Sequence, residues 1–233
     1  MSATTAATAA ATAAATAAAT AAATTAATAA ATAATAATAA ATAAATATTP
    51  STPRVAPAEP PYPAEVQAWL DRTMPPGVPP LGLFTTLARD PRLFQRFMAG
   101  GLLDRGNLTL RQRELVIDRV TARAGSEYEW GVHVALFGAR VKLTPAQLAS
   151  LVHGSPDDAC WDEAERALLR VCDELHTTCT VSDATWAAAG VHLTETARIE
   201  VLMLAGFYRT VAYLTNALRI PLEAFAPRFP PGS

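Results

Sequence analysis

The sequence predicts an all-α domain of about eight helices behind a low-complexity leader. Three observations carry that expectation. Capping signals, a hydroxyl residue followed three positions later by Glu or Gln, recur along the chain. Apolar residues repeat at three- and four-residue spacing, and no run alternates apolar and polar residues as a half-buried strand would.

Residues 3–49 contain only Ala and Thr. With no charge and no large apolar side chain they cannot build a core. Thr also tempers the helix tendency of Ala, so residues 1–49 read as a leader that flickers between helix and coil. Residues 50–80 hold ten of the 17 prolines and read as a linker interrupted by one short helix around 64–74. The helical domain is expected over 81–233. Asp90 before Pro91 is an N-cap followed by a first-turn proline. Thr109 with Gln112, Ser126 with Glu129, and Thr144 with Gln147 match the capping-box pattern. Gly125, Gly154 and Gly190 stand where helices are expected to end. Leu115, Val116, Arg119 and Val120 form one apolar-spaced stripe, and Leu168, Leu169, Cys172 and Leu175 another. The longest helix is predicted from about Glu195 to Leu218, capped by Thr194, with Ile199, Leu202, Met203 and Gly206 on its inner face.

Composition narrows the function. The 18 basic and 20 acidic residues give a net charge of −2, and the basic residues are spread along the domain, so nucleic acid is not an expected partner. The first basic residue is Arg54, which leaves the leader without the positive start of a secretory signal or the arginines of a transit peptide. The best apolar stretch, 201–208, is bounded by Glu200 and Arg209 and is too short to span a bilayer. The protein is expected to be cytoplasmic, with no membrane partner. Cys160, Cys172 and Cys179 form an odd set without a C-x-x-C, which argues against a disulfide framework, a zinc knuckle and a dithiol redox centre.

One segment concentrates chemistry: Arg113-Glu-Leu-Val-Ile-Asp-Arg-Val-Thr-Ala-Arg-Ala-Gly-Ser-Glu-Tyr-Glu-Trp-Gly-Val-His133. Glu129 and His133 are four apart, so they share a helix face about 6 Å apart along the axis. Glu114 belongs to the preceding helix. If the two helices pack antiparallel across the Gly125 turn, Glu114 can hold one ring nitrogen of His133 and leave the other free for proton transfer. A plainer reading is also open: Glu129 closing a capping box on Ser126, and Glu114 pairing with Arg111 or Arg113. His176 reads as a helix-ending residue, while His153 and His192 read as surface. Tyr128, Trp130, Tyr208 and Tyr213 read as core or interface.

The segment resembles the carboxymuconolactone decarboxylase and AhpD-like family, whose peroxidase branch carries Glu-x11-Cys-x2-Cys-x3-His. The same spacing here reads Glu114, Ser126, Glu129, His133, with both cysteines replaced. Gly138-Ala-Arg-Val-Lys-Leu-Thr144, Asp173-Glu-Leu-His176 and Val181-Ser-Asp-Ala-Thr-Trp186 extend the likeness, which covers roughly 81–221. The resemblance implies an AhpD-like helical domain that assembles as a homo-oligomer, a trimer or a hexamer. It implies a decarboxylase-like lyase acting on a small carboxylic acid or lactone, with His133, Glu114 and Glu129 as its catalytic residues. An arginine should meet the substrate anion; Arg119, Arg123 and Arg209 are equal candidates, and the substrate-binding residues stay unknown. No cofactor is expected. No metal is expected either, because the Glu-x-x-His spacing of di-iron bundles is absent. Two alternatives stand beside this reading. An AhpD-like peroxidase is disfavoured because Ser and Glu cannot form the sulfenic acid or disulfide it needs; a non-catalytic helical oligomer that binds a small acid is the other.

Overall fold

The computed structural model describes residues 52–74 and 77–232, so the expectation for the 1–49 leader lies outside the described residues. Among them are nine α-helices, one π-helical turn and no strand. In chain order they are α1 Ala64–Thr73, α2 Gly82–Leu87, α3 Pro91–Ala99, α4 Leu110–Arg123 and α5 Glu127–His133, which runs into a π-helical turn at Val134–Gly138. Then follow α6 Pro145–His153, α7 Glu163–Thr178, α8 Asp183–His192 and α9 Glu195–Leu218.

The helix starts follow local chemistry. Asp90 accepts hydrogen bonds from the Arg92 and Leu93 N–H groups at 3.0 and 3.1 Å, with Pro91 opening α3. Thr109 and Gln112 form a complete capping box on α4, and Thr144 and Gln147 form another on α6. Each satisfies N–H groups that have no partner inside the helix. Thr194 caps α9, which spans Glu195–Leu218 as the sequence predicted. Gly125 follows α4 at φ +65°, a left-handed position that a β-carbon would strain, so it allows the tight reversal into α5.

Two expected ends differ. Gly190 lies inside α8, which continues to His192 and ends at Leu193. Ser126 precedes α5 without making a side-chain cap; its hydroxyl instead meets the Thr215 hydroxyl at 2.7 Å, tying α5 to α9.

The axis of the fold is α4, packed against α5, α6, α7 and α9. Nine consecutive residues of α4, from Glu114 to Ala122, are buried. Burial around the whole circumference marks a central helix, and its charged members need partners there. Arg119 is 1% exposed and has them: it grips Asp173 of α7 at 2.6 and 2.7 Å and donates to the carbonyls of Ser150, Leu151 and Gly154 at the end of α6. It ties three helices together while closing orphan carbonyls of α6.

On α9 the buried residues are Ala197, Val201, Leu204, Ala205, Tyr208, Val211, Ala212 and Thr215. The expected inner face is therefore corrected: Ile199, Leu202, Met203 and Gly206 face outward. The helix is apolar nearly all round, so residue spacing alone does not choose between its two stripes. The 52–74 segment, read as a linker with a helix, lies against α2 and α3, where Val66 and Leu70 pack with Ala88 and Phe94. The C-terminal residues cross α5: Phe229 stacks edge-on to Trp130 at 5.2 Å and its N–H donates to Glu127 at 2.8 Å. A β-carbon on Gly131 would come within 2.5 Å of the Pro227 carbonyl oxygen, so the absence of a side chain there lets the crossing pass.

Candidate active site

The turn at Gly125 folds α5 back along α4 and brings the two ends of the motif together. Glu114 Oε2 lies 2.7 Å from His133 Nδ1. His133 Nε2 lies 3.4 Å from Glu129 Oε1, one helical turn back on α5, and 3.1 Å from the Tyr208 hydroxyl on α9. All four side chains are buried. Glu114, Glu129 and His133, singled out by spacing, therefore converge, and the capping-box alternative for Glu129 does not hold.

Neighbours fix the set. Arg113 donates to Glu114 Oε1 from Nε at 3.0 Å, with its Nη2 at 2.9 Å from the same oxygen, and Nη1 donates to the Leu103 carbonyl at 2.8 Å. Glu114 is thus held at one oxygen by an arginine and at the other by the imidazole. Charged hydrogen bonds of this kind orient a ring and select its protonated nitrogen. The π-helical turn after His133 brings Phe137 over the imidazole, with ring centres 5.5 Å apart and planes 28° from parallel. Such irregular turns often occur at functional sites. The Arg113 guanidinium lies over the Phe137 ring, 5.5 Å from its centroid.

Electrostatics set the proton inventory. Burial alone would depress the His133 pKa, but the charge and hydrogen bond of Glu114, then the bond and charge of Glu129, outweigh it and push it up to about 10. The imidazole is therefore a cation at neutral pH, with Nδ1–H on Glu114 and Nε2–H toward Glu129 and Tyr208. Burial, reinforced by Glu129 and Glu114, raises the Tyr208 phenol well above its ordinary value, so it stays protonated. Asp118, one turn along α4 from Glu114, is 1% exposed. Burial first, then the charge of Glu114, raise its pKa well above the ordinary carboxylate value, with His133 opposing and Glu129 adding to the rise. Two buried oxygens, Asp118 Oδ1 and Glu129 Oε2, have no hydrogen-bond partner among the described residues.

Of the arginines weighed for the substrate anion, Arg119 is committed to Asp173 and α6, and Arg123 also pairs with Asp173 at 3.3 Å. Arg209 meets His176 Nδ1 at 2.5 Å and the Tyr213 hydroxyl at 3.1 Å. The arginine bonded to the histidine's Glu114 partner is Arg113, and the exposed Arg140 also lies over Phe137, 5.6 Å from its centroid. His176 lies in the last turn of α7; burial and then Arg209 depress its pKa, so it accepts from Arg209 as a neutral ring. His153 and His192 are exposed. Tyr128 and Trp130 are buried, while Tyr213 is 60% exposed.

Asp118 and Phe137 were missed by sequence reasoning, and Tyr208 was read only as core or interface. Asp118 carried a usable signal, since Glu114 and Asp118 are four apart on one face of an otherwise apolar stretch. For Tyr208 and Phe137 no local signal exists. Cys160 precedes α7, Cys172 lies buried within it and Cys179 caps its end, all as free thiols. Burial pushes the Cys172 thiol up to about 12. Among the described residues no three His, Cys, Asp or Glu side chains group as a metal site, and no helix is long and apolar enough to cross a membrane.

The all-helical fold is AhpD-like. Residues 91–174, which hold Glu114, Glu129 and His133, match the model of the carboxymuconolactone decarboxylase family, while α8 and α9 with Tyr208 lie beyond the matched segment. Solved structures agree on the fold. An uncharacterized peroxidase-related protein from Silicibacter sp. TM1040 aligns with a TM-score of 0.61 at 19% identity, covering 78% of this chain and 99% of that one. An alkylhydroperoxidase AhpD core protein from Ralstonia eutropha JMP134, also described as peroxidase-related, gives 0.58 at 19% identity over 70% and 88%. A variant of the debrominase Bmp8 in complex with 2,3,4-tribromopyrrole gives 0.52 at 15% identity over 62% and 77%. No curated protein matches the chain.

Proposed function

We propose that the protein is a carboxymuconolactone decarboxylase-like lyase that uses Glu/His acid–base chemistry on a small carboxylated or lactone-type organic acid. The observation that carries this reading is the buried His133 ring, bonded at Nδ1 to Glu114 and facing Glu129 and Tyr208 with Nε2. Loss of carbon dioxide from an unsaturated acid leaves an electron pair delocalised onto a carbonyl. His133 delivers the proton that quenches it. Glu114, itself held by Arg113, orients the ring, and Glu129 accepts a proton from substrate or returns one to Nε2. The Tyr208 hydroxyl is placed to hydrogen-bond an oxyanion that develops beside Nε2. Arg113, with guanidinium N–H groups beyond those already bonded, is the cation we assign to the substrate anion.

A peroxidase reading has less support here. Ser126 is wholly buried and bonded to Thr215, Glu129 fills the second thiol position, and the three cysteines lie on or beside α7. A homo-oligomer, trimer or hexamer, in the cytoplasm is part of the proposal; its support is the outward apolar stripe of α9, where Ile199, Met203 and Tyr213 are more than half exposed.

The test is a panel of unsaturated carboxylic acids and lactones, followed by carbon dioxide release and by deuterium entering the product carbon in heavy water. His133→Gln should lower turnover by about 10²–10⁴-fold with the fold intact, the range general acid–base catalysis supplies. Full activity in His133→Gln, or hydroperoxide reduction that any cysteine substitution abolishes, would overturn the reading.

A further inference from the structure

The Glu129 carboxylate is only half satisfied. Oε1 faces His133 Nε2 at 3.4 Å, whereas Oε2 is out of contact with solvent and has no partner among the described residues. The side chain is 8% exposed. A second orphan stands in the same cluster: Asp118 Oδ1, on a side chain one turn from Glu114, with no cation of its own, since Arg113 serves Glu114 and Arg119 serves Asp173. The groups facing this cluster are Glu114 and Arg113 from α4, Glu129 and His133 from α5, and Tyr208 from α9. Three carboxyls thus meet two cations, Arg113 and protonated His133. Charge closes if Asp118 holds its proton, and the orphan that keeps a full negative charge is then Glu129.

A buried carboxylate oxygen without a donor is costly, and a site that contains one rewards any ligand that supplies the missing hydrogen. A plain acid would bring a carboxylate to Arg113 and leave Glu129 Oε2 unpaired. We propose that the substrate is a hydroxy acid: its carboxylate meets Arg113, and its hydroxyl donates to Glu129 Oε2. This rests on the acid–base reading above and sharpens its substrate class. Sites built to bond a substrate hydroxyl discriminate strongly against the analogue that lacks it, because the protein group is then left unpaired. Replacing the hydroxyl by a methoxy group removes the donor and adds bulk, so it should fail where the hydroxyl succeeds.

Calorimetric titration of the full chain with benzoate, the three hydroxybenzoates, their methyl ethers and phenol separates the parts. At least one hydroxybenzoate should bind tenfold or more tighter than benzoate, with its methyl ether no tighter than benzoate. Glu129→Ala should erase that preference while leaving benzoate affinity within about threefold; Glu129→Leu, which fills the space and likewise offers no hydrogen-bond acceptor, covers the case in which the alanine variant does not fold. Equal affinity for benzoate and every hydroxybenzoate would overturn the hydroxyl assignment and leave the acid reading standing. Binding of phenol as tight as any hydroxybenzoate, with none of benzoate, would overturn the hydroxy acid as the ligand and the acid reading with it. No binding by any probe at millimolar concentration would overturn both.

Discussion

Glu114 Oε2 and His133 Nδ1 lie 2.7 Å apart, with both side chains at most 5% exposed. The pair makes protonated His133 part of what holds α4 to α5. Its folded pKa, pushed up to about 10, exceeds the ordinary imidazole value of 6.5. A raised value means that the folded state binds the proton more tightly, so the stabilisation is complete below 6.5 and is lost as pH rises through about 10. Urea unfolding across that interval should show falling stability, and His133→Gln should flatten the slope.

Glu114→Gln keeps the shape of the bridge and removes its charge. Proton transfer should slow by about 10²-fold or more, chiefly in kcat, because the ring loses the negative charge that raises its basicity. The pH–rate profile should shift toward lower pH as the His133 proton is held less tightly. A change confined to KM would assign Glu114 to substrate binding instead.

Asp118 gives the opposite kind of prediction. Its raised pKa means that the folded protein loses stability as pH rises from the ordinary aspartate range toward the folded value. Asn is already neutral there. Asp118→Asn should therefore match the wild type in acid and gain on it with increasing pH, as measured by thermal melts over a pH series. A variant that is less stable at every pH would show that Asp118 is held as a carboxylate by its surroundings.

Arg119 is 1% exposed and serves Asp173 and three carbonyls. Removing one member of a buried ion pair typically costs about 3–5 kcal/mol. Arg119→Met should fall in that range by urea denaturation. Thr109→Ala, which removes a capping box, should cost about 0.5–2 kcal/mol.

The helix frame was legible in the sequence because caps are local. Asp90, Thr109, Thr144 and Thr194 each needed only the residues within three positions to define a helix start, and each does so. Ser126 carried the same pattern and failed, because Thr215 from α9 offered its hydroxyl another partner. The inner face of α9 failed for a related reason. Ile199, Leu202, Met203 and Gly206 make a stripe as apolar as the buried one, and only the packed neighbours distinguish them. Within the site, Glu114, Glu129 and His133 were readable from spacing along two consecutive helices. Tyr208 sits 75 residues beyond His133, and the chain near it contains nothing that announces the meeting. Arg113 was weighed as a partner for Glu114 but not for the substrate, since adjacency in sequence does not reveal that its guanidinium also lies over Phe137, the ring stacked on His133.

The proposed chemistry requires a histidine that carries its proton at neutral pH and presents it to the site through Nε2. Nitrogen-15 NMR of the imidazole, with His133→Gln used for assignment, reads both ring nitrogens directly. Both should appear protonated at about pH 8, where an ordinary imidazole is neutral, and titrate together near 10. A His133 ring that is a neutral tautomer at that pH, titrating at or below 6.5, would contradict the assignment of His133 as the acid.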